Sequence, residues 1–103
     1  NVFPTEIESV VSLCSGVVEC AAIGLPDEKS GEAIKLFVVR GDASLTEDQV
    51  ARFCEENLTG YKRPKYIEFR DELPKSPVGK VLRRTLLEEE KAKMAKGEPE
   101  KVA

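Results

Sequence analysis

Residues 73–84, LPKSPVGKVLRR, restrict the possible folds of this chain more than any other stretch. Pro74 and Pro77 lack an amide hydrogen and hold φ fixed, so the segment cannot begin as helix interior. Leu73 and Ser76 each precede a proline and are driven towards extended geometry. Gly79 frees the backbone to turn or to approach a ligand closely. Lys80 follows at once, and Val81 and Leu82 begin a predicted helix over 81–94. A cation at a helix start sits at the unfavourable end of the macrodipole. Two explanations stand side by side. Either Lys80 and the first free amides share one anion, or the stretch is a solvated basic loop. It is not a Walker A loop, because Pro74 replaces the first glycine and Val81 replaces the Ser or Thr after the lysine.

The segments before this loop have clear periodicity. Pro4 suits a first helical position, and Phe3, Ile7, Val10, Val11 and Cys14 share one helical face. Gly16 is the expected stop. Residues 17–25, VVECAAIGL, and 32–39, EAIKLFVV, read as two strands. Pro26 and Asp27 are expected to turn the first into the loop carrying Ser30 and Gly31. The short link favours an antiparallel pair, and the dense apolar content favours at least one covered face.

Thr46 and Gln49 form a capping-box pattern, with Leu45 and Val50 at staple positions. Val50, Phe53, Cys54 and Leu58 make the buried stripe of this second helix. Gly60 is expected to end it. Residues 61–65, YKRPK, then form a basic loop. Tyr61 can stack a purine with Arg63, or pack beneath the sheet. Residues 66–69, YIEF, are a third strand. If it runs parallel to the second, the passage through the helix is a right-handed crossover. In the last helix Leu82, Leu86 and Leu87 face inward, and residues 88–93 read as a solvated charged face. Residues 97–103 read as a loose tail. The fold class is therefore α+β: a small three-stranded sheet with helices packed on it, in the order α-β-β-α-β-α, plus a flexible C-terminal tail.

Composition narrows the chemistry. With 103 residues the chain fits one domain with a modest core. There is no histidine, so a Ser-His or Cys-His nucleophile cannot be assembled. Three cysteines without a CxxC spacing argue against a disulfide framework and form a poor zinc set. Cys14, Cys20 and Cys54 read as small buried hydrophobes in a reducing compartment. NVFPTEIE, with early carboxylates and a proline, does not read as a secretory signal. Net charge is −3, yet residues 62–84 hold eight basic and three acidic residues, leaving −8 elsewhere. A basic segment on an acidic chain favours a discrete anionic ligand over a polyanion.

The loop Pro74, Lys75, Ser76, Pro77, Val78, Gly79, Lys80, Val81, Leu82, Arg83 resembles the C-terminal signature of the adenylate-forming superfamily, Pro-Lys-(Ser/Thr)-x-x-Gly-Lys followed by two hydrophobic residues and Arg. NVFPTEIE resembles the end of the hinge motif in these enzymes, and LTGYKRPKYIEF resembles the segment before the lysine loop. The wording is most similar to bacterial long-chain fatty acyl-CoA ligases. The resemblance implies that residues 1–96 are the mobile C-terminal domain of such an enzyme and 97–103 a disordered tail. The hinge is expected upstream of Asn1, and the N-terminal ATP- and acyl-binding domain outside this chain.

Further implications concern the site. The family activates a fatty acid with ATP and Mg²⁺, then transfers the acyl group to CoA. Lys80 is implied as the adenylation lysine, with Pro74, Lys75, Ser76 and Gly79 supporting its loop. Tyr61, Lys62, Arg63, Ser30 and Gly31 are implied on the CoA side. No metal ligand is expected in this chain, nor tight binding of ATP, Mg²⁺ or CoA by this fragment, which is expected to be inactive alone. The implied partners are its own N-terminal domain, acyl-adenylate, CoA and fatty acid, not nucleic acid. A cytoplasmic location is implied, with room for peripheral contact at the inner membrane face. A peptide-synthetase adenylation domain usually has Asp before the Arg that follows the lysine. Leu82-Arg83-Arg84 instead favours the CoA-ligase branch. A stand-alone nucleic-acid module is disfavoured by net acidity and six aromatics. A docking module for a partner protein is the remaining alternative.

Overall fold

The computed structural model describes residues 4–27 and 31–95, and the backbone alone at Tyr61. The elements are α1 (Pro4–Val11), β1 (Val17–Asp27), β2 (Gly31–Arg40), α2 (Glu47–Asn57), β3 (Tyr66–Phe69) and α3 (Arg83–Ala95). This is the α+β order expected from the sequence. Phe3, Ser30 and the predicted tail lie outside the described residues.

β2 is the centre of the sheet, antiparallel to β1 and parallel to β3. Its side chains alternate between two covered faces, as a strand's period of two requires. Ile34, Leu36 and Val38 pack with Ile7 and Val11 of α1 and with Val50 and Cys54 of α2. Phe37 points the other way, into a second cluster with Ala21, Ile23, Leu25, Leu73 and Leu86 of α3. Phe37 and Leu86 are wholly buried, and burial of each side chain contributes about 2 kcal/mol. Of the three thiols, Cys14 and Cys54 are buried, whereas Cys20 is half-buried and donates to the Glu8 carbonyl.

α2 begins as the sequence dictates. The Gln49 amide donates to Thr46 Oγ1 at 3.2 Å, and the Thr46 amide donates to Gln49 Oε1 at 2.9 Å. Gly16 has φ +95°, and its carbonyl accepts from the Gly41 amide at 2.8 Å. It turns the chain into β1 in a conformation that side chains resist.

Four expectations are corrected. Pro26 and Asp27 do not turn the chain; they continue β1, paired with Glu32 and Gly31. β1 is an edge strand, where a missing amide is tolerated. Gly60 does not cap α2, which ends at Asn57; Gly60 opens a short 3₁₀ turn over Gly60–Lys62. The C-terminal carbonyls are met instead by Arg63, whose Nε donates to Leu58 O at 3.0 Å and Nη2 to Glu55 O at 2.7 Å. α3 starts at Arg83, later than Val81, because Val81 is held in a bridge opposite Lys75. The later start leaves Leu82 exposed while Leu86 is buried. Finally, Glu90 is no part of a solvated face. It is wholly buried against Lys35.

Candidate functional site

The lysine loop is a small hairpin. The Gly79 amide donates to Ser76 O at 2.9 Å, and the Ser76 amide donates to Lys80 O at 2.8 Å. Pro77 and Val78 occupy the turn between them, and proline suits the first of these two positions. Gly79 has φ +83° and no atom within 4 Å of where a Cβ would stand. Its role is therefore conformational, closing a turn through the left-handed region. Ser76 adds its hydroxyl, which accepts from the Lys80 amide at 3.3 Å.

The base of the hairpin is tied down. The Leu82 amide donates to Pro74 O at 2.8 Å, beside the Lys75–Val81 bridge. Lys75 Nζ meets Glu19 Oε2 of β1 at 2.8 Å. On the other strand Arg83 forks onto Glu8 of α1, with Nε to Oε2 at 2.8 Å and Nη2 to Oε1. Lys80 itself is exposed, and Val78 at the tip is 88% exposed.

Lys80 does not stand at the start of α3, so the conflict with the helix dipole expected from the sequence does not arise. Its amide is also taken by Ser76, which removes it from any shared cradle of free amides.

The basic stretch over 62–84 proves to be largely neutralised by carboxylates from the rest of the chain. Lys62 pairs with Glu6, Lys65 with Asp27, Lys75 with Glu19 and Arg83 with Glu8. Arg70 pairs with Glu68 and Glu89. Among the described residues, Arg63, Lys80 and Arg84 are the members of this stretch that form no ion pair; Arg63 spends its guanidinium on the Leu58 and Glu55 carbonyls, which leaves Lys80 and Arg84 as the two without a side-chain partner. The positive charge offered to a ligand is thus concentrated at the end of the lysine loop and the first turn of α3.

The second group of sequence-predicted residues lies elsewhere. Lys65, just past the 3₁₀ turn, reaches Asp27 Oδ1 at 3.2 Å, and Asp27 is paired with Gly31 in the sheet. Gly31, with φ +84°, and the Lys65 ammonium therefore share the far end of β1. Glu19, which holds the lysine hairpin, is near the opposite end. At about 3.4 Å per residue, Glu19 and Asp27 are separated by about 27 Å along the strand. Lys62 and Arg63 are both engaged, with Glu6 and with the end of α2 respectively. Ser30 lies outside the described residues. Among the described residues no cluster of three or more His, Cys, Asp or Glu is arranged to hold a metal ion, and no helix is long and apolar enough to cross a membrane.

Residues 6–80 match the family model of the AMP-binding enzyme C-terminal domain. The chain belongs to this family. Its curated relatives include long-chain-fatty-acid–CoA ligases of Salmonella typhimurium, 58% identical over 94 residues, and of Yersinia pestis, 61% identical over 90 residues. These alignments cover 91% and 87% of this chain but only 17% and 16% of the relatives. Among solved structures, a Mycobacterium tuberculosis fatty acyl-CoA synthetase superposes with a TM-score of 0.82 at 43% identity, covering 89% of this chain and 18% of that one. ATP-bound MatB from Rhodopseudomonas palustris superposes with a TM-score of 0.83 at 40% identity, over 88% and 18%.

Within this family frame, the acidic partners are what sequence reasoning missed. Glu8 and Glu19 anchor the two strands of the lysine hairpin, yet each is more than fifty residues from its partner. Glu8 falls inside the NVFPTEIE motif, which was the only available signal that it mattered.

Proposed function

We propose that this chain is the C-terminal domain, over residues 1–96, of an AMP-forming long-chain fatty acyl-CoA ligase, with residues 97–103 as its tail. Lys80 serves the adenylation half-reaction. There the fatty-acid carboxylate attacks the α-phosphorus of ATP, the bond to pyrophosphate breaks, and acyl-adenylate forms. In the second half the CoA thiol displaces AMP to give the thioester.

The observation that carries this reading is the state of Lys80. It is exposed at the end of a built hairpin, and its ammonium forms no ion pair among the described residues, while its basic neighbours in sequence are largely neutralised. An ammonium on a flexible stem suits two anions that must approach one another, because it offsets charge as it gathers without transferring a proton. ATP and Mg²⁺ are assigned to the N-terminal domain, and Mg²⁺ would supply phosphate charge neutralisation there. This domain alone is expected to show no turnover.

The far end of β1 is assigned to CoA, through Tyr61, Lys62, Arg63, Ser30 and Gly31. The Lys75 anchor of the hairpin at Glu19 and Gly31 opposite Asp27 lie towards different ends of β1, which supports a domain that presents different faces to the active site in the two half-reactions. Use of both groups then requires a swing about a hinge upstream of Asn1.

The test joins the chain to its N-terminal domain and compares wild type with Lys80→Ala. Adenylation and thioester formation from ready-made acyl-adenylate are measured separately. Adenylation is expected to fall by about 10²–10³-fold, the range for loss of one preorganised charge-stabilising group, with transfer retained. Survival of both steps would sink the assignment of Lys80.

A further inference from the structure

We propose that Glu8 and Arg83 are a positioning pair that aims the Lys80 hairpin, an inference that rests on the adenylation role given to Lys80 above. Three donors converge on the Glu8 carboxylate. The Ala22 amide of β1 reaches Oε2 at 2.8 Å, Arg83 Nε reaches the same oxygen at 2.8 Å, and Arg83 Nη2 reaches Oε1. One side chain thereby joins α1, the sheet and the start of α3.

The placement of Arg83 is informative because it runs against local preference. It is the first residue of α3, where a carboxylate would suit the helix dipole and a guanidinium does not. Helix stability therefore does not account for an arginine here; its fork onto Glu8 does. A bidentate guanidinium–carboxylate contact fixes direction as well as distance, which a lysine's point charge cannot do. Glu8 is 16% exposed and Arg83 34%, so the pair is partly shielded from water.

Arg83 is three residues beyond Lys80. The intervening backbone is constrained at Val81 by its bridge to Lys75 and at Leu82 by its bond to Pro74. The direction of Arg83 is thus passed to Lys80 through a stiff segment. Because catalytic geometry tolerates little displacement, loss of the fork is expected to slow adenylation by about ten- to a hundredfold. Transfer to CoA, assigned to the far end of β1, is expected to change less than about twofold.

The experiment uses the full enzyme chain and five variants: Glu8→Gln, Arg83→Met, Arg83→Lys, Lys80→Ala and the double variant Glu8→Gln/Lys80→Ala. Each half-reaction and the thermal midpoint are measured. Glu8→Gln and Arg83→Met should slow adenylation selectively, and Arg83→Lys should fall between them and wild type. In the Lys80→Ala background Glu8→Gln should add no further loss, because Glu8 acts through Lys80. Equal loss in both half-reactions, or full additivity with Lys80→Ala, would show a merely structural contact and overturn the inference. Should Glu8→Gln fail to fold, Arg83→Lys, which keeps the charge, carries the same test. If Lys80→Ala leaves adenylation intact, the role of Lys80 fails. If Lys80→Ala is defective but Glu8→Gln and Arg83→Met are normal, the positioning role alone fails.

Discussion

Lys35 of β2 and Glu90 of α3 form an ion pair sealed inside the protein, with side chains 2% and 0% exposed. Around them, Glu68 Oε1 meets Lys35 Nζ at 3.0 Å and Lys93 Nζ approaches Glu90 Oε2 at 3.1 Å. Lys35 Nζ also lies 5.1 Å from the centre of the Phe37 ring. The buried residues of α3 are Leu86 and Glu90, with Leu87 packed against the Leu86 cluster, so Glu90 is the buried attachment of the helix beyond these leucines. Lys35→Met alone should cost about 3–5 kcal/mol, because it strands a buried carboxylate. Lys35→Met with Glu90→Leu should recover most of that loss, since Glu68 keeps Arg70 and Lys93 as partners. Urea unfolding of the 103-residue chain, read at the midpoint, checks both. A double variant no more stable than the single one would show that the pair contributes net stability beyond its own desolvation.

Glu68 makes the same network sensitive to acid. Burial favours its neutral form, but hydrogen bonds from Lys35 and Arg70 and the charge of Lys93 win, and the carboxyl is held below its ordinary value of 4.5. A lowered folded-state value means that the unfolded chain binds the proton more readily. The resulting stability is present above pH 4.5 and is lost as pH falls through the lower folded-state value. Glu68→Gln should flatten this acid limb of the stability profile. An unchanged slope between pH 5 and 3 would remove Glu68 from the account.

What was legible in the sequence, and what was not, divides by range. The Thr46 cap needs only its own residues to Gln49, so its signature appears in the string and in the structure alike. The bounds of β3 follow from a short apolar run between charged loops. The burial of Glu90 is not legible locally, because it depends on Lys35, fifty-five positions away, and a Glu-Glu-Glu run looks solvated in isolation. A helix beginning at Val81 would turn Leu82 inward, but α3 begins two residues later and the phase of the stripe shifts with it. Residue type alone points to Gly60 as a cap, whereas the Arg63 side chain meets the C-terminal carbonyls of α2. The lysine hairpin was legible as a motif, but its anchors Glu8 and Glu19 were not, since no local pattern pairs a carboxylate with a cation so distant.

The cap of α2 offers a clean local test. Thr46→Ala removes the hydroxyl that accepts from the Gln49 amide and leaves a helix N-terminus with one donor unmet. The cost should be about 1 kcal/mol. Thr46→Ser should lose much less, because Ser retains the acceptor. Urea midpoints of the three chains decide it, and equal midpoints for Ala and Thr would show that water replaces the cap without loss.

The thiols of Cys20, half-buried, and Cys54, buried, should be chemically quiet. Desolvation pushes the Cys54 thiol up to about 11, and desolvation followed by the nearby Glu8 charge pushes Cys20 up to about 12. At pH 8 both remain almost wholly protonated, and the thiolate is the reactive form. A disulfide-exchange reagent should therefore label Cys20 and Cys54 slowly in the native chain and at once in denaturant. Prompt native labelling of Cys54 would mean that α2 opens readily from the sheet.

Gly79 separates folding from function at the lysine hairpin. Its φ of +83° is costly for any residue with a Cβ, yet no atom lies within 4 Å of the Cβ position. Gly79→Ala therefore meets strain and no clash, which limits the cost to about 1–2 kcal/mol. The hairpin can relieve that strain only by opening the turn that Gly79 closes onto Ser76. Opening it displaces Lys80, its neighbour, while the two cores of the domain are untouched. In the full enzyme, Gly79→Ala should slow adenylation with little change in transfer from ready-made acyl-adenylate. Gly79→Asn, which tolerates the left-handed region better, should recover part of the rate. Normal adenylation by the alanine variant would show that Lys80 works without a fixed turn beneath it, and that flexibility of its stem, not the hairpin, sets its reach.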